Sequence, residues 1–221
     1  MSDGLKSLGL SPELHSYLVD HGSPPDTILK ELQEVTREKV GGMAIMQVAP
    51  EQGAFMQMIT RLIGARFAVE VGTFTGYSAL CIARGLPADG KLICCDVSEE
   101  WTSIGRSYWE KAGVAERIDL RIAPAIQTLK SLPEERTIDI AFIDADKTSY
   151  ASYYDELLPR MRPGGLMLID NVLWGGSVID ESRDDDNTLA IRAFNDKIAA
   201  DDRIEAVMLQ ISDGLTLIRV P

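Results

Sequence analysis

Three aspartates, one asparagine and one lysine stand where chemistry is expected. Asp96, Asp144 and Asp170 each close a short apolar run, Asn171 follows Asp170 directly, and Lys147 lies three residues past Asp144. Ligands of open α/β sheets bind beyond the carboxyl ends of the strands, so acids that end strands converge there. A single strand-end aspartate more often caps a helix or ties a turn; three in one chain, following a glycine turn, point to a site. Asp144 with the pair Asp170 and Asn171 offers only hard oxygen donors. Such a set selects Mg²⁺ or Ca²⁺, and Mg²⁺ keeps positions open for substrate and water. No thiolate or imidazole adjoins them, which argues against zinc. Lys147 is within reach of the same place. A lysine beside a divalent cation loses proton affinity and can serve as a base, although on spacing alone a solvated loop lysine fits equally well.

The glycine turn lies in residues 66–80. Phe67, Ala68, Val69, Glu70 and Val71 read as a buried strand, Gly72 and Gly76 break the pattern, and residues 77–84 return to helical composition. Strand, glycine turn and helix open a nucleoside-binding site, and a glycine there lets a ligand approach the backbone. The Gly-x-x-x-Gly spacing lacks the three-glycine pyrophosphate fingerprint, and Glu70 near the strand end repels phosphate. A nicotinamide oxidoreductase is therefore disfavoured. A ligand with a nucleoside and a positive charge fits, and S-adenosylmethionine is one. Asp96 comes 24 residues after Gly72, where an acid accepts from ribose hydroxyls.

The elements that must hold these residues follow from the pattern. Ser11, Pro12 and Glu13 open a first helix, Asp26 caps a second that Gly41 and Gly42 end, and Pro50 and Glu51 start a third. Residues 1–65 thus form an N-terminal helical addition, expected to cover an edge of the site or to make a dimer contact. His15 and His21 lie in it with no ligand spacing and read as surface residues. Across residues 66–221, strands are expected at 67–71, 91–96, 118–122, 138–144, 166–170, 204–211 and 215–220. Helices are expected between them at 77–84, 101–112, 125–132, 150–161 and from about 187 to 200. Alternation of this kind gives an α/β fold, a mostly parallel sheet with helices on both faces, and the closing hairpin adds an antiparallel strand. No linker or repeat interrupts it, so one domain is expected over residues 1–221. Residues 174–187 hold Gly175, Gly176 and the acids Asp180, Glu181, Asp184, Asp185 and Asp186; they read as a mobile flap with Trp174 as its apolar contact.

Composition narrows the partners. The chain has 221 residues, 45% hydrophobic and 25% charged, and a net charge of −12. That charge argues against nucleic acid or an anionic membrane as a partner. No apolar run reaches the roughly 18 residues of a membrane span, and Met1 to Lys6 lack a signal-peptide core. Cys81, Cys94 and Cys95 lie in apolar runs with no Cys-x-x-Cys pair, as reduced core residues of a cytoplasmic protein do.

Four motifs, in order and at matching spacing, carry a family resemblance. Residues 70–78 (EVGTFTGYS), residues 142–147 (FIDADK), residues 169–174 (IDNVLW) and residues 213–217 (DGLTL) resemble cation-dependent O-methyltransferases of the caffeoyl-coenzyme A and catechol type, and the likeness reaches back through residues 46–53 (MQVAPEQG). The resemblance implies a Rossmann-like sheet of seven strands with the last reversed, and methyl transfer to a small aromatic vicinal diol, with a caffeoyl-coenzyme A type ester as the alternative acceptor. It implies Mg²⁺ on Asp144, Asp170 and Asn171, with Lys147 as the base. Met46, Val48, Glu70, Gly72, Thr73, Ser78, Asp96, Ala125, Asp144 and Asp146 would surround S-adenosylmethionine, with Met46 near its methyl group and Trp174 at the acceptor mouth. Lys6 aligns with a substrate-contacting lysine of the plant coenzyme A enzymes, whereas Gly175 replaces their Asn. A homodimer is expected.

Overall fold

The computed structural model describes residues 9–221; Lys6 and the rest of the extreme N-terminus lie outside the described residues. Three helices come first: α1 (Pro12–Asp20), α2 (Thr27–Val40) and α3 (Pro50–Leu62). Each begins as its sequence dictates. Ser11 accepts from the Leu14 amide, Asp26 from the Leu29 amide, and Pro50 occupies the first turn of α3. Gly41, at φ +55°, ends α2, and a 3₁₀ turn, Gly41–Met46, leads to α3.

Strands and helices then alternate: β1 (Phe67–Val71), α4 (Tyr77–Gly85), β2 (Lys91–Asp96), α5 (Glu99–Lys111), β3 (Ile118–Ile122), α6 (Ala125–Ser131), β4 (Ile138–Ile143), α7 (Tyr150–Leu157), β5 (Met161–Asp170), α8 (Asp186–Ala199), β6 (Glu205–Leu209) and β7 (Leu215–Arg219). The seven strands form one sheet in the order β3-β2-β1-β4-β5-β7-β6. All neighbours from β3 to β5 are parallel, and β7 runs antiparallel to both β5 and β6. The Rossmann-like α/β reading therefore holds, with the reversed last strand inserted between β5 and the edge strand.

Two apolar layers pack on the two faces of the sheet. One holds Val69, Ile143, Ile169, Tyr154 and Phe194; the other holds Ala68, Phe142, Leu168, Leu80 and Leu32. Adjacent strand residues thus enter opposite cores, which is why β1, β4 and the second half of β5 read as near-continuous apolar runs rather than alternating ones. Leu32 of α2 and Met56 of α3 are fully buried, so the N-terminal helices belong to the second layer.

Two local expectations need correction. The helix expected over residues 150–161 ends at Leu157, and β5 starts at Met161, not after Gly165. Met161 pairs with Ile138, and the register shifts before Leu166 meets Ile140. Pro163, Gly164 and Gly165 form that bulge rather than a break, since proline cannot donate to a ladder but is accommodated at a bulge. The glycines still pair: Gly164 N donates to Val220 O at 2.7 Å, and Val220 N to Gly165 O at 3.0 Å. Residues 174–187 are not a free flap either. Trp174–Ile179 is a 3₁₀ segment, and Asp185 caps α8 by accepting from the Thr188 amide. Among the described residues no helix is long and apolar enough to cross a membrane.

Candidate active site

The carboxyl ends of β1, β2, β4 and β5 open into a cavity of about 1080 Å³. The glycine turn after β1 forms one side. Gly72 has φ +89°, and a Cβ on it would lie 1.9 Å from the Asp144 carbonyl oxygen. Its missing side chain therefore serves the close approach of the chain after β4, not only that of a ligand. Gly76, at φ +82°, presses against the Trp109 ring, whose Nε1 donates to Gly76 O at 3.0 Å. Between them Asp96 ties the turn: its Oδ2 accepts from the amides of Thr73 (2.9 Å) and Phe74 (2.8 Å), and its Oδ1 from Ser98 N at 2.8 Å. The turn hangs on this carboxylate, which still has lone pairs for hydroxyls in the cavity. Phe74 itself has φ +51° and meets Trp101 edge-on at 5.2 Å.

The N-terminal addition closes a second side. Gln47 Nε2 donates to Thr36 Oγ1 (3.0 Å) and Thr75 Oγ1 (2.9 Å), and the Thr36 hydroxyl donates to Thr75 at 2.9 Å. These bonds fasten α2 and the segment bearing Met46 and Val48 to the glycine turn. Thr36, Gln47 and Thr75 escaped the sequence reading as site residues, although Thr75 lies inside the glycine motif and Gln47 inside residues 46–53. His15 reaches Glu51 at 3.1 Å and His21 stacks on Tyr17, both away from the cavity.

The acids converge at the third side. Lys147 is 9% exposed; its Nζ donates to Asp144 Oδ1 at 3.0 Å and to the Tyr150 hydroxyl at 2.6 Å. Tyr150 passes a hydrogen bond to the Asp170 carbonyl at 3.3 Å. Burial, reinforced by Asp144 and Asp170, holds that phenol well above its ordinary pKa, so it stays a neutral donor. Asp170 is 4% exposed, and desolvation followed by the repulsion of Asp144 pushes its carboxyl up to about 7. Asn171 sits at φ +55°, a left-handed conformation asparagine tolerates, and turns the chain out of β5 while its amide donates to Asp170 Oδ1 at 2.8 Å. Trp174 follows, its ring centroid 5.7 Å from Lys147 Nζ. Asp146 accepts from the Tyr153 hydroxyl at 2.6 Å.

Met46, Val48, Gly72, Thr73, Ser78, Asp96, Ala125, Asp144, Asp146, Lys147, Asp170, Asn171 and Trp174 all line this one cavity. Glu70 does not. It is wholly buried in β1 beneath the turn, beside Ser78, Thr73 and Cys94, with neither oxygen in a completed hydrogen bond. Desolvation pushes its carboxyl up to about 7, against the pull of those three neighbours. Cys81, Cys94 and Cys95 are free and buried, and burial raises all three thiols, Cys81 and Cys95 to about 12. Among the described residues, no group of three or more His, Cys, Asp and Glu side chains is arranged to hold a metal; the expected set has two carboxylates and depends on the Asn171 amide.

Comparison with known proteins agrees with this geometry. Residues 19–220 match the model of a family described as O-methyltransferase. The chain is 42% identical over 207 residues to "Probable caffeoyl-CoA O-methyltransferase 1" of Dictyostelium discoideum, covering 92% of this chain and 90% of that one. It is 40% identical over 230 residues to tricin synthase 2 of Oryza sativa subsp. japonica, covering 99% and 78%. The solved O-methyltransferase of Bacillus cereus, in complex with SAH, superposes with a TM-score of 0.85 at 33% identity, covering 95% of this chain and 97% of that one. A sheet with its reversed strand next to the edge, a glycine turn held by a strand-end acid and a match across nearly the whole sequence lead to one assignment: the chain belongs to the O-methyltransferase family.

Proposed function

We propose that this O-methyltransferase takes its methyl group from S-adenosylmethionine and gives it to one hydroxyl of a small catechol-type aromatic, at a site that uses Mg²⁺. The observation that carries the reading is the position of Lys147: a buried amine 3.0 Å from Asp144, in the same cavity as the Asp96-bound glycine turn. Asp96 is suited to the ribose hydroxyls, Met46 and Val48 to the methionine end, and Asp146 and Ala125 to the base. Asp144, Asp170 and Asn171 would hold the cation. Two carboxylates near one lysine, one of them pushed up to about 7, leave negative charge that a small divalent ion would neutralise, and the oxygen donors match its hardness. When bound, Mg²⁺ supplies Lewis-acid stabilisation of a phenolate and favours two adjacent oxygens as ligands.

The chain's own residues do the rest. A phenol, of pKa about 10, is a poor nucleophile at neutral pH. Lys147 Nζ takes the phenol proton, while Asp144 and the Tyr150 hydroxyl fix the direction of that nitrogen. The oxygen then attacks the donor methyl: the carbon–oxygen bond forms as the carbon–sulfur bond breaks, and the sulfonium leaves as a neutral thioether. Alignment of oxygen, carbon and sulfur supplies much of the acceleration. Trp174 covers the aromatic ring and keeps water from the reacting oxygen.

A second acceptor, a caffeoyl-coenzyme A type ester, is favoured by the name of the Dictyostelium relative. We also propose a single domain over residues 1–221, working in the cytoplasm as a homodimer; exposed Tyr17, Leu18, Met58 and Leu62 on the N-terminal helices support a self-contact. Turnover of S-adenosylmethionine with a panel of catechols, after EDTA treatment and after restoring Mg²⁺, tests the main reading. Activity only with Mg²⁺ is expected, and full activity in chelated protein would remove the metal from the proposal.

A further inference from the structure

Gln52 is wholly buried, lines the main cavity, and leaves both its Oε1 and its Nε2 without a hydrogen-bond partner. It sits in the first turn of α3, in the N-terminal addition. Burying an amide with both ends unmade costs free energy, and an unsatisfied buried group calls for an explanation. One neighbour fixes its orientation. The amide lies beside the Asp170 carboxylate without completing a hydrogen bond to it. A carboxylate only accepts, so the end facing Asp170 is the NH₂ group. The carbonyl oxygen remains, buried in the cavity wall and with nothing to accept.

A vicinal diol brings what that oxygen lacks. One of its hydroxyls loses its proton to Lys147 and is methylated. The other keeps its proton through the reaction and needs an acceptor on the cavity wall. We infer that Gln52 is a specificity-determining residue of the acceptor site: its carbonyl oxygen receives the hydrogen bond of the hydroxyl that is not methylated, while its NH₂ group stays turned to Asp170. The N-terminal addition thereby contributes to acceptor choice as well as to the cofactor wall. This inference rests on the catechol-type reading proposed above.

Gln52→Met keeps the length of the side chain and removes both polar ends. In the ligand-free protein it removes an unmet amide, so the melting temperature should stay level or rise. With the acceptor, catechol KM should rise roughly tenfold, the scale of one net hydrogen bond, while the KM for S-adenosylmethionine stays unchanged. A merely structural role would lower the melting temperature and move both constants together. Unchanged catechol KM in a folded Gln52→Met protein overturns the inference. On the wild-type protein, where no variant has to fold, the Gln52 carbonyl-carbon resonance should move downfield when catechol joins the complex with S-adenosylhomocysteine and Mg²⁺; an unmoved signal overturns it equally. Failure of the wild-type enzyme to methylate any catechol is a different result, and defeats the catechol reading itself.

Discussion

Lys147 Nζ lies 3.0 Å from Asp144 Oδ1, and the chain after β4 brings the two together: Asp144 follows β4 directly and the 3₁₀ turn Lys147–Ser149 folds the lysine back over it. The amine lies in the cavity wall, 2.6 Å from the Tyr150 hydroxyl. Lys147→Met should therefore lower kcat by about 10²–10⁴-fold, the usual worth of a general base, and leave the Kd for S-adenosylmethionine unchanged. Single-turnover rates beside calorimetric binding separate the two. A variant that keeps its wild-type kcat would show the proton goes elsewhere.

Asp96 does two jobs, so its removal should show in two measurements. Asp96→Ala deletes the acceptor of three backbone amides, two in the glycine turn and one at Ser98, as well as the charged partner proposed for the ribose. Affinity for S-adenosylmethionine should fall roughly 10- to 100-fold, as for loss of hydrogen bonds to a charged group, and the ligand-free melting temperature should fall too. Equal affinity in Asp96→Ala would place the ribose contact on another group.

Much of this was legible in the sequence because it is local. The limits of β1, β2 and β3 follow from short apolar runs between turn residues, and Ser11, Asp26 and Pro50 mark helix starts within a few residues of where they act. Strand-end acids converge because a parallel sheet places all those ends on one edge. Long-range partnership was not legible. Nothing near Gln52 announces Asp170, and nothing near Arg192 announces the loop it holds, since each partner comes from a distant element. The burial of Glu70 was hidden for a related reason: its place beneath the turn depends on Ser78 and Cys94 closing around it.

Glu70 makes stability depend on pH in a definite direction. Its carboxyl is raised from 4.5 to about 7 in the folded protein. A raised pKa means the folded state holds the proton more tightly, so this group's contribution is complete below about 4.5 and disappears as pH rises through about 7. Glu70→Gln removes the titration. Relative to wild type, the ligand-free variant should gain stability between pH 5 and pH 8, by an amount on the order of 3 kcal/mol. Denaturant melts at several pH values give the difference, and a difference flat in pH would mean Glu70 is ionised throughout.

Arg192 replaces the expected mobility of residues 174–187 with a clamp. Its guanidinium donates to the carbonyls of Ser177 (2.7 Å), Val178 (3.0 Å), Asp180 and Arg183 (2.9 Å), and Gly175 N donates to Asp213 Oδ1 at 2.6 Å. A planar fork suits several carbonyls at once, so the loop behind Trp174 is held in one shape. Arg192→Gln should release it. Tryptic cleavage after Arg183 should accelerate, and the acceptor KM should rise by roughly tenfold, about one or two hydrogen bonds' worth, with S-adenosylmethionine binding unaffected. Wild-type cleavage rates in the variant would mean the loop is held by other contacts.

The same loop bears on which acceptor is used. Asp180, Glu181, Asp184, Asp185 and Asp186 are all exposed on it; Asp185 has Arg183 at 3.7 Å as a counter-charge, while hydrogen bonds from Ser182 to Asp180 and from Thr188 to Asp185 hold those carboxylates in the charged form. The chain as a whole carries a net charge of −12. Phosphates of a coenzyme A ester would approach the cavity mouth beside these acids and be repelled, whereas a small neutral or cationic catechol would not. We therefore expect kcat/KM to be higher for a small catechol than for caffeoyl-coenzyme A on the same preparation, and the gap to narrow as ionic strength rises and screens the acids. Neutralising Asp184 and Asp186 to Asn should raise kcat/KM for the ester and leave the catechol value alone. A clear preference of the wild-type enzyme for the coenzyme A ester would refute the small-catechol assignment and leave methyl transfer to oxygen standing.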